Sequence, residues 1–192
     1  MSIVLQGSTS GSVTLQEPAV AGTTVLDLPA VSGTILTTGS SGQSIPKAAL
    51  PTGSVLQVVN ATYSTQVGPV TTTYTDTGLS ATITPTSSSS KILVITGQAV
   101  TLGGGGNDSG AQLRILRGAT EIYATGITGI YIYNPTSGSE LKVYASFNYL
   151  DSPATTSSTT YKLQGRDSTY GTNIYFQDNS STSSITLMEI AA

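Results

Sequence analysis

The chain has no cysteine and no histidine. Without cysteine there is no disulfide framework, no thiolate metal site and no thiol nucleophile, and nothing marks a redox compartment. Without histidine the side chain that most often serves as general base and metal ligand is missing too. Charge is scarce: 9% of the 192 residues are Asp, Glu, Lys or Arg, against about a quarter in an ordinary domain. The balance is −3, and Arg114 and Arg117 come nearest to a basic cluster. The attraction on which nucleic-acid affinity rests is therefore lacking, and no nucleic-acid partner is expected. No apolar run approaches the ~18 residues that span a bilayer. Residues 1–7 have neither the basic start nor the apolar stretch of a signal peptide. Membrane insertion is not expected.

Ser, Thr and Gly fill the polar positions instead, beside an apolar share of 38%. Val, Ile, Thr and Tyr are abundant, and these types favour pleated, half-buried strands and are scarce in disordered chains. The expectation is folded β structure whose surface is kept wet by hydroxyls rather than charge. A length of 192 residues accommodates one medium domain and an arm.

Residues 1–50 contain no Tyr or Phe and carry an approximate repeat. The segment VTLQEPAVAGT at 13–23 is echoed by VLDLPAVSGT at 25–34, followed by Ile35 and Leu36. Each unit reads as a short strand, a Pro that cannot donate to a central ladder, and a Gly that permits a turn. Strands this short need neighbours, from the same chain or from other copies. A flexible Ser/Gly linker is the alternative. Turn-forming residues at 37–46 and 50–53 then break the pattern, which predicts an arm over 1–50 and a head domain over 51–192.

From residue 54 onward, strand-like segments alternate with turn clusters, at 54–60, 70–84, 91–101, 111–117, 120–133, 140–150, 159–166, 172–177 and 184–190. Leu141, Val143, Ala145, Phe147 and Tyr149 alternate with polar residues and with Tyr144, as in a strand with one buried face. Ile92, Leu93, Val94 and Ile95 are apolar on both faces, which suits a strand in mid-sheet or one between a core and a subunit contact. No window sustains helical periodicity with caps. The pattern predicts an all-β fold, an antiparallel, jelly-roll-like β-sandwich preceded by an extended arm of short β-repeats. In the last strand, alternation puts Ile185 and Leu187 on one face and Met188 and Ile190 on the other. One face is expected to fill the sandwich and the other to meet a neighbouring copy.

Hydrolysis without histidine or cysteine needs paired carboxylates. Asp76, Asp108, Glu121, Glu140, Asp151, Asp167 and Asp178 form no recognisable motif and read as solvated turn residues, so no enzymatic activity is expected. The glycine-rich stretch 103–110 lacks the Lys-Ser/Thr and helix of a phosphate cradle and the alternating acids of a calcium loop, and reads as a flexible loop between two strands. Asn-X-Ser/Thr matches at 60, 107 and 179 are expected by chance in a Ser/Thr-rich chain. Tyrosine is the informative enrichment: Tyr123, Tyr131, Tyr133, Tyr144, Tyr149, Tyr161, Tyr170 and Tyr175 all lie in the second half. Outward-facing tyrosines suit contacts between copies, the favoured reading, or sugar stacking.

The stretches at 13–36, LPTGSVLQVV at 50–59, TGLSATITP at 77–85, SKILV at 90–94 and ITLMEI at 185–190 resemble virion structural proteins of tailed bacteriophages. The likeness is to the tail-fibre and capsid-fibre type, particularly of marine and cyanobacterial phages. It implies an attachment arm, a β-sandwich head, a homotrimer, no cofactor, and a place on the virion surface, on capsid or tail. The long shaft of a fibre is lacking, which favours a short spike, capsid fibre or decoration protein. Two functions are expected to compete. One is a short fibre anchored by its arm, its head displayed for attachment to the host surface, with a glycan as one receptor class. The other is a decoration or assembly protein that stabilises the particle without a receptor. The candidate interface comprises Val25, Leu26, Leu28, Ile35, Leu36, Ile185, Leu187, Met188 and Ile190, and the candidate receptor contacts are Tyr131, Tyr133, Tyr144 and Tyr170. No catalytic, metal or cofactor residues are expected.

Overall fold

The structure is a computed structural model and describes residues 2–6, 9–10, 12–16, 47, 50–105, 108–127, 129–132, 137–168 and 173–192. The chain divides into two units, Met1–Ser44 and Ile45–Ala192, so the boundary falls slightly before the expected one. In the first unit, β1 (Ser2–Gln6) pairs antiparallel with β2 (Ser12–Gln16), with Ile3 opposite Leu15 and Leu5 opposite Val13. β2 opens the first of the two sequence repeats. The rest of the repeat, including Val25, Leu26, Leu28, Ile35 and Leu36, lies outside the described residues.

The second unit is an antiparallel β-sandwich. Its strands are β3 (Val55–Tyr63), β4 (Val67–Val70), β5 (Thr75–Ile83), β6 (Lys91–Gly105), β7 (Ser109–Arg117), β8 (Thr120–Ala124), β9 (Ile130–Ile132), β10 (Ser137–Asp151), β11 (Thr159–Asp167), β12 (Ile174–Phe176) and β13 (Ser183–Ile190). The larger sheet runs β3-β13-β6-β12-β4, with β10 also paired to β6, and the smaller runs β5-β11-β7-β8, with β9 beside β7. β6 is the spine of the larger sheet. Its first half pairs with β13 and its second half with β12, while β10 takes the opposite edge from Ile92 to Gly105.

Alternation decides which residues fill the space between the sheets. Leu79, Ile83, Ile115, Tyr161 and Leu163 of the smaller sheet meet Ile92, Val94, Ile185 and Leu187 of the larger. A second cluster joins Leu113 to Val100, Leu102, Ile174 and Phe176. Burying each large apolar side chain stabilises the fold by about 1.5–3 kcal/mol. The mid-sheet reading of 92–95 holds, with Ile92 and Val94 inside and Leu93 and Ile95 half-buried on the outer face.

Several expectations need correction. Ile185 and Leu187 are fully buried in the chain's own core, because their face of β13 is the inward one, and they are not available to a neighbour. The expected strand 70–84 is two strands, β4 and β5, separated at 71–74, and 120–133 is likewise split into β8 and β9. The glycine-rich stretch is less of a loop than expected, since β6 continues to Gly105 and β7 begins at Ser109. At Gly103 a Cβ would lie 2.6 Å from the Asn173 carbonyl oxygen, so the backbone there approaches too closely for a side chain.

Candidate functional site

On one side of the sandwich, β10 of the larger sheet faces β8 and β9 of the smaller across a cleft of about 550 Å³. The cleft arises from a break in the smaller sheet. β8 stops at Ala124, and β9 rejoins β7 only from Ile130. Between them Thr125 folds back onto β7, its N–H donating to the Leu113 carbonyl at 2.8 Å and its Oγ1 accepting from the Leu113 N–H at 2.9 Å. The Gly129 N–H then donates to the Gly126 carbonyl at 2.9 Å, closing a turn. A Cβ on Gly129 would lie 2.7 Å from that of Thr125. Leu141, Val143 and Ala145 occupy inward positions of β10, yet they are only half-buried, and among the described residues no continuous strand lies over them.

The wall beneath them is aromatic. Tyr123 stacks on Phe147 with ring centres 5.4 Å apart and 21° between planes, and Tyr149 leans on Tyr123 at 5.7 Å and 40°. Tyr144, opposite Ala99, and Tyr131, opposite Gly110, border the cleft but belong to the outer faces of the larger and the smaller sheet, and are 63% and 40% exposed. The Tyr131 hydroxyl donates to Asp108 Oδ2 at 2.6 Å. None of the described residues lining the cleft is charged. Among the described strands, β10 pairs with β6 alone. Of the four expected receptor contacts, Tyr131 and Tyr144 are exposed, on the outer faces of the smaller and the larger sheet respectively. Tyr133 and Tyr170 lie outside the described residues. Tyr161 is fully buried.

The two outer faces of the sandwich differ sharply. Over the smaller sheet Arg114 and Arg166 flank the Tyr74 ring, their guanidinium carbons 3.8 and 4.7 Å from its centre. Arg114 also reaches Gln164 at 2.6 Å and Glu121 at 2.8 Å, and Arg166 reaches Gln112 at 2.7 Å. Lys162 and Gln164 both donate to Asp76. Burial would raise the Asp76 carboxyl, but these bonds outweigh it and hold the group below its ordinary range. Over the larger sheet the register places Val58, Met188, Leu93 and Leu150 side by side across four strands. Directly opposed residues share a face, so this is one apolar row. Val58 is 53% and Leu150 48% exposed. Ile190, opposite Val55, extends it, and Val55 is also exposed. Met188 and Ile190 therefore lie on the outer face, as alternation predicts.

Asp151, Asp167 and Asp178 are structural rather than solvated turn residues, whereas Asp76, Glu121 and Glu140 are exposed. Asp151 and Asp167 are buried, the former held by Arg117 at 2.8 Å and by the Tyr161 hydroxyl at 2.7 Å. Asp178 accepts from Lys142 at 2.7 Å, and this bond, against a smaller effect of desolvation, lowers its carboxyl. Among the described residues no three His, Cys, Asp or Glu side chains gather as a metal site would require.

No family model matches the chain, and no curated protein does. Among solved structures it is similar to dimeric latent PorU from Porphyromonas gingivalis, at 9% identity and a TM-score of 0.32 over 73% of this chain. The chain spans 14% of that one, and a likeness this slight bears on neither fold nor function.

Sequence reasoning missed the cleft because it read 120–133 as one strand. The signal was Gly126 and Gly129 bracketing Ile127 and Thr128, since paired glycines within a strand pattern mark a bend or close approach. The apolar row was half visible, in Met188, Ile190, Leu93 and Ile95. Val58 and Leu150 joined it only through register.

Proposed function

We propose that the chain is a non-enzymatic structural component of a tailed-phage particle. In this reading it is a short fibre or spike on capsid or tail, anchored by its N-terminal arm and displaying the β-sandwich for attachment to the host surface. The observation that carries the reading is the contrast between the outer faces. One is laced with charge and hydrogen bonds and needs no cover. The other carries the row Val58–Met188–Leu93–Leu150, exposed at Val58 and Leu150 and half-buried at Met188 and Leu93. Apolar rows on a soluble sheet are costly to leave wet, and cover by copies of the same chain relieves that cost. The shortage of charge removes the like-charge repulsion that would oppose close association. Three-fold closure follows the resemblance of the sequence to phage fibre proteins. The exposed Tyr131 and Tyr144 favour attachment over decoration, since a purely stabilising protein needs no tyrosines displayed to solvent.

Sedimentation of the purified full chain tests this. A trimer is expected, and Val58→Asp with Leu150→Asp should convert it to a folded monomer. A wild-type chain that stays monomeric from micromolar to millimolar concentration would overturn the self-association on which the reading rests.

A further inference from the structure

We propose that the outer face of the smaller sheet is a binding site for an acidic saccharide, with Arg166 taking its carboxylate or sulfate. The inference rests on the attachment reading above and names the ligand class and the surface that would take it.

The site is built by register. Gln112 and Arg114 of β7 and Gln164 and Arg166 of β11 point outward, and the pairing sets Gln164 opposite Arg114 and Arg166 opposite Gln112. Each arginine therefore meets a glutamine directly across the ladder. Arg166 Nε and Nη2 donate to Gln112 Oε1 at 2.9 and 2.7 Å, and Arg114 Nε and Nη2 donate to Gln164 Oε1 at 2.9 and 2.6 Å. Tyr74, just before β5, lays its ring against both guanidinium groups, which its π-electrons attract. Glutamine and tyrosine thus orient an arginine without neutralising it.

Charge singles out Arg166. Lys162 is paired with Asp76 at 3.1 Å and Arg114 with Glu121 at 2.8 Å. Among the described residues no carboxylate pairs with Arg166, and every Asp and Glu after residue 44 is described. Asp167, next in the chain, lies opposite Ala111 and is buried on the inward side. Asp108 bounds the site, since it accepts from Tyr131, which sits opposite Gly110, one outward position beyond Gln112. A guanidinium held in place with its charge unspent is a planar fork for an oxyanion.

The surroundings choose a sugar. Thr71, Thr72 and Thr73, which lead into Tyr74, are exposed, and their hydroxyls suit those of a saccharide. β11 lies between β5 and β7, so its backbone is engaged on both sides and offers no edge to a peptide strand. One unneutralised cation is too few for a nucleic acid, whose affinity grows with the number of phosphates neutralised.

The test is an array of immobilised carboxylated, sulfated and neutral oligosaccharides, with single-stranded DNA and acidic peptides alongside, probed with the labelled full chain. Binding to acidic oligosaccharides is expected, and it should weaken as salt rises because the site is open to screening. Gln112→Glu gives Arg166 a carboxylate in place, and should weaken binding about ten-fold, equivalent to about 1.4 kcal/mol, without lowering the melting temperature. Arg166→Gln should weaken it as much. Preference for neutral sugars, DNA or peptides, no signal on any acidic sugar, or full binding by Gln112→Glu would each overturn the proposal. The two readings fail separately. A trimer that ignores all sugars keeps the particle role and loses the site. A monomer that binds acidic sugars keeps the site and loses the self-association.

Discussion

Replacing Tyr161 by Phe removes one oxygen atom from the centre of the sandwich, and its consequences depend on pH in a direction the structure specifies. Tyr161 is fully buried on β11, and its hydroxyl donates to Asp151 Oδ2 at 2.7 Å. Asp151 is 5% exposed, and both its oxygens accept from Arg117 Nη1 at 2.8 Å. Without the hydroxyl, a buried carboxylate loses one of its partners. Hydrogen bonds to charged groups stabilise by about 1.5–3 kcal/mol, and for a chain of this size each kcal/mol moves the melting temperature by roughly 2–4 °C. Burial, and next the adjacent Asp151 carboxylate, push the Tyr161 hydroxyl far above its ordinary value of 10.0. A raised pKa means a contribution fully present below pH 10 and lost as pH climbs above it, because only the unfolded tyrosine then releases its proton. The wild type should lose up to about 1.4 kcal/mol per pH unit in that range through this group, and the Phe variant should not. Urea unfolding of both proteins between about pH 8 and pH 11 measures the gap, with other tyrosines and lysines cancelling in the comparison. The gap should be level to about pH 10 and then shrink. A gap below about 0.5 kcal/mol at pH 8, or one that stays level to pH 11, would refute the assigned network.

Gly165→Ala should destabilise by about 1–3 kcal/mol through overpacking, since the new Cβ would lie 2.8 Å from Phe176 Cε2 and 2.9 Å from Leu113 Cδ2. Thermal melts of this variant with and without Phe176→Leu should show partial rescue by the smaller side chain. Glu189, fully buried, accepts from Gln57 and from both the N–H and hydroxyl of Thr86. Burial alone would raise its carboxyl, but these bonds prevail and lower it from 4.5. Its contribution is therefore present above about pH 4.5 and lost as pH falls below. Acid titration of stability should show a shallower decline for Glu189→Gln than for the wild type.

An antiparallel sandwich was legible because its determinants are local. Period-two alternation from Leu141 to Tyr149 identifies one inward face whatever partner the strand finds, and β-branched residues with turn-forming Gly and Ser mark where strands begin and stop. The same logic correctly assigned opposite faces to Leu187 and Met188. Strand breaks were less legible. Residues 125–129 look locally extended, but hydrogen bonds from Thr125 to Leu113, a residue of β7, turn the chain aside.

Composition and periodicity by themselves determined an all-β protein with a hydroxyl-rich surface, and the absence of histidine and cysteine limited its chemistry before any fold was known. Only the tertiary structure decided what the outward residues can do. Whether Val58 and Leu150 are scattered apolar residues or one continuous row depends on the pairing of β3, β13, β6 and β10. Those strands are far apart in the chain, and strand identity alone does not specify their register. The cleft has the same origin. Tyr123 and Phe147 belong to strands of two different sheets, and they stack only because β8 and β10 are brought together across the sandwich. Alternation tells each side chain which way to face, but a surface or a recess is a relation between strands, and long-range pairing alone creates it.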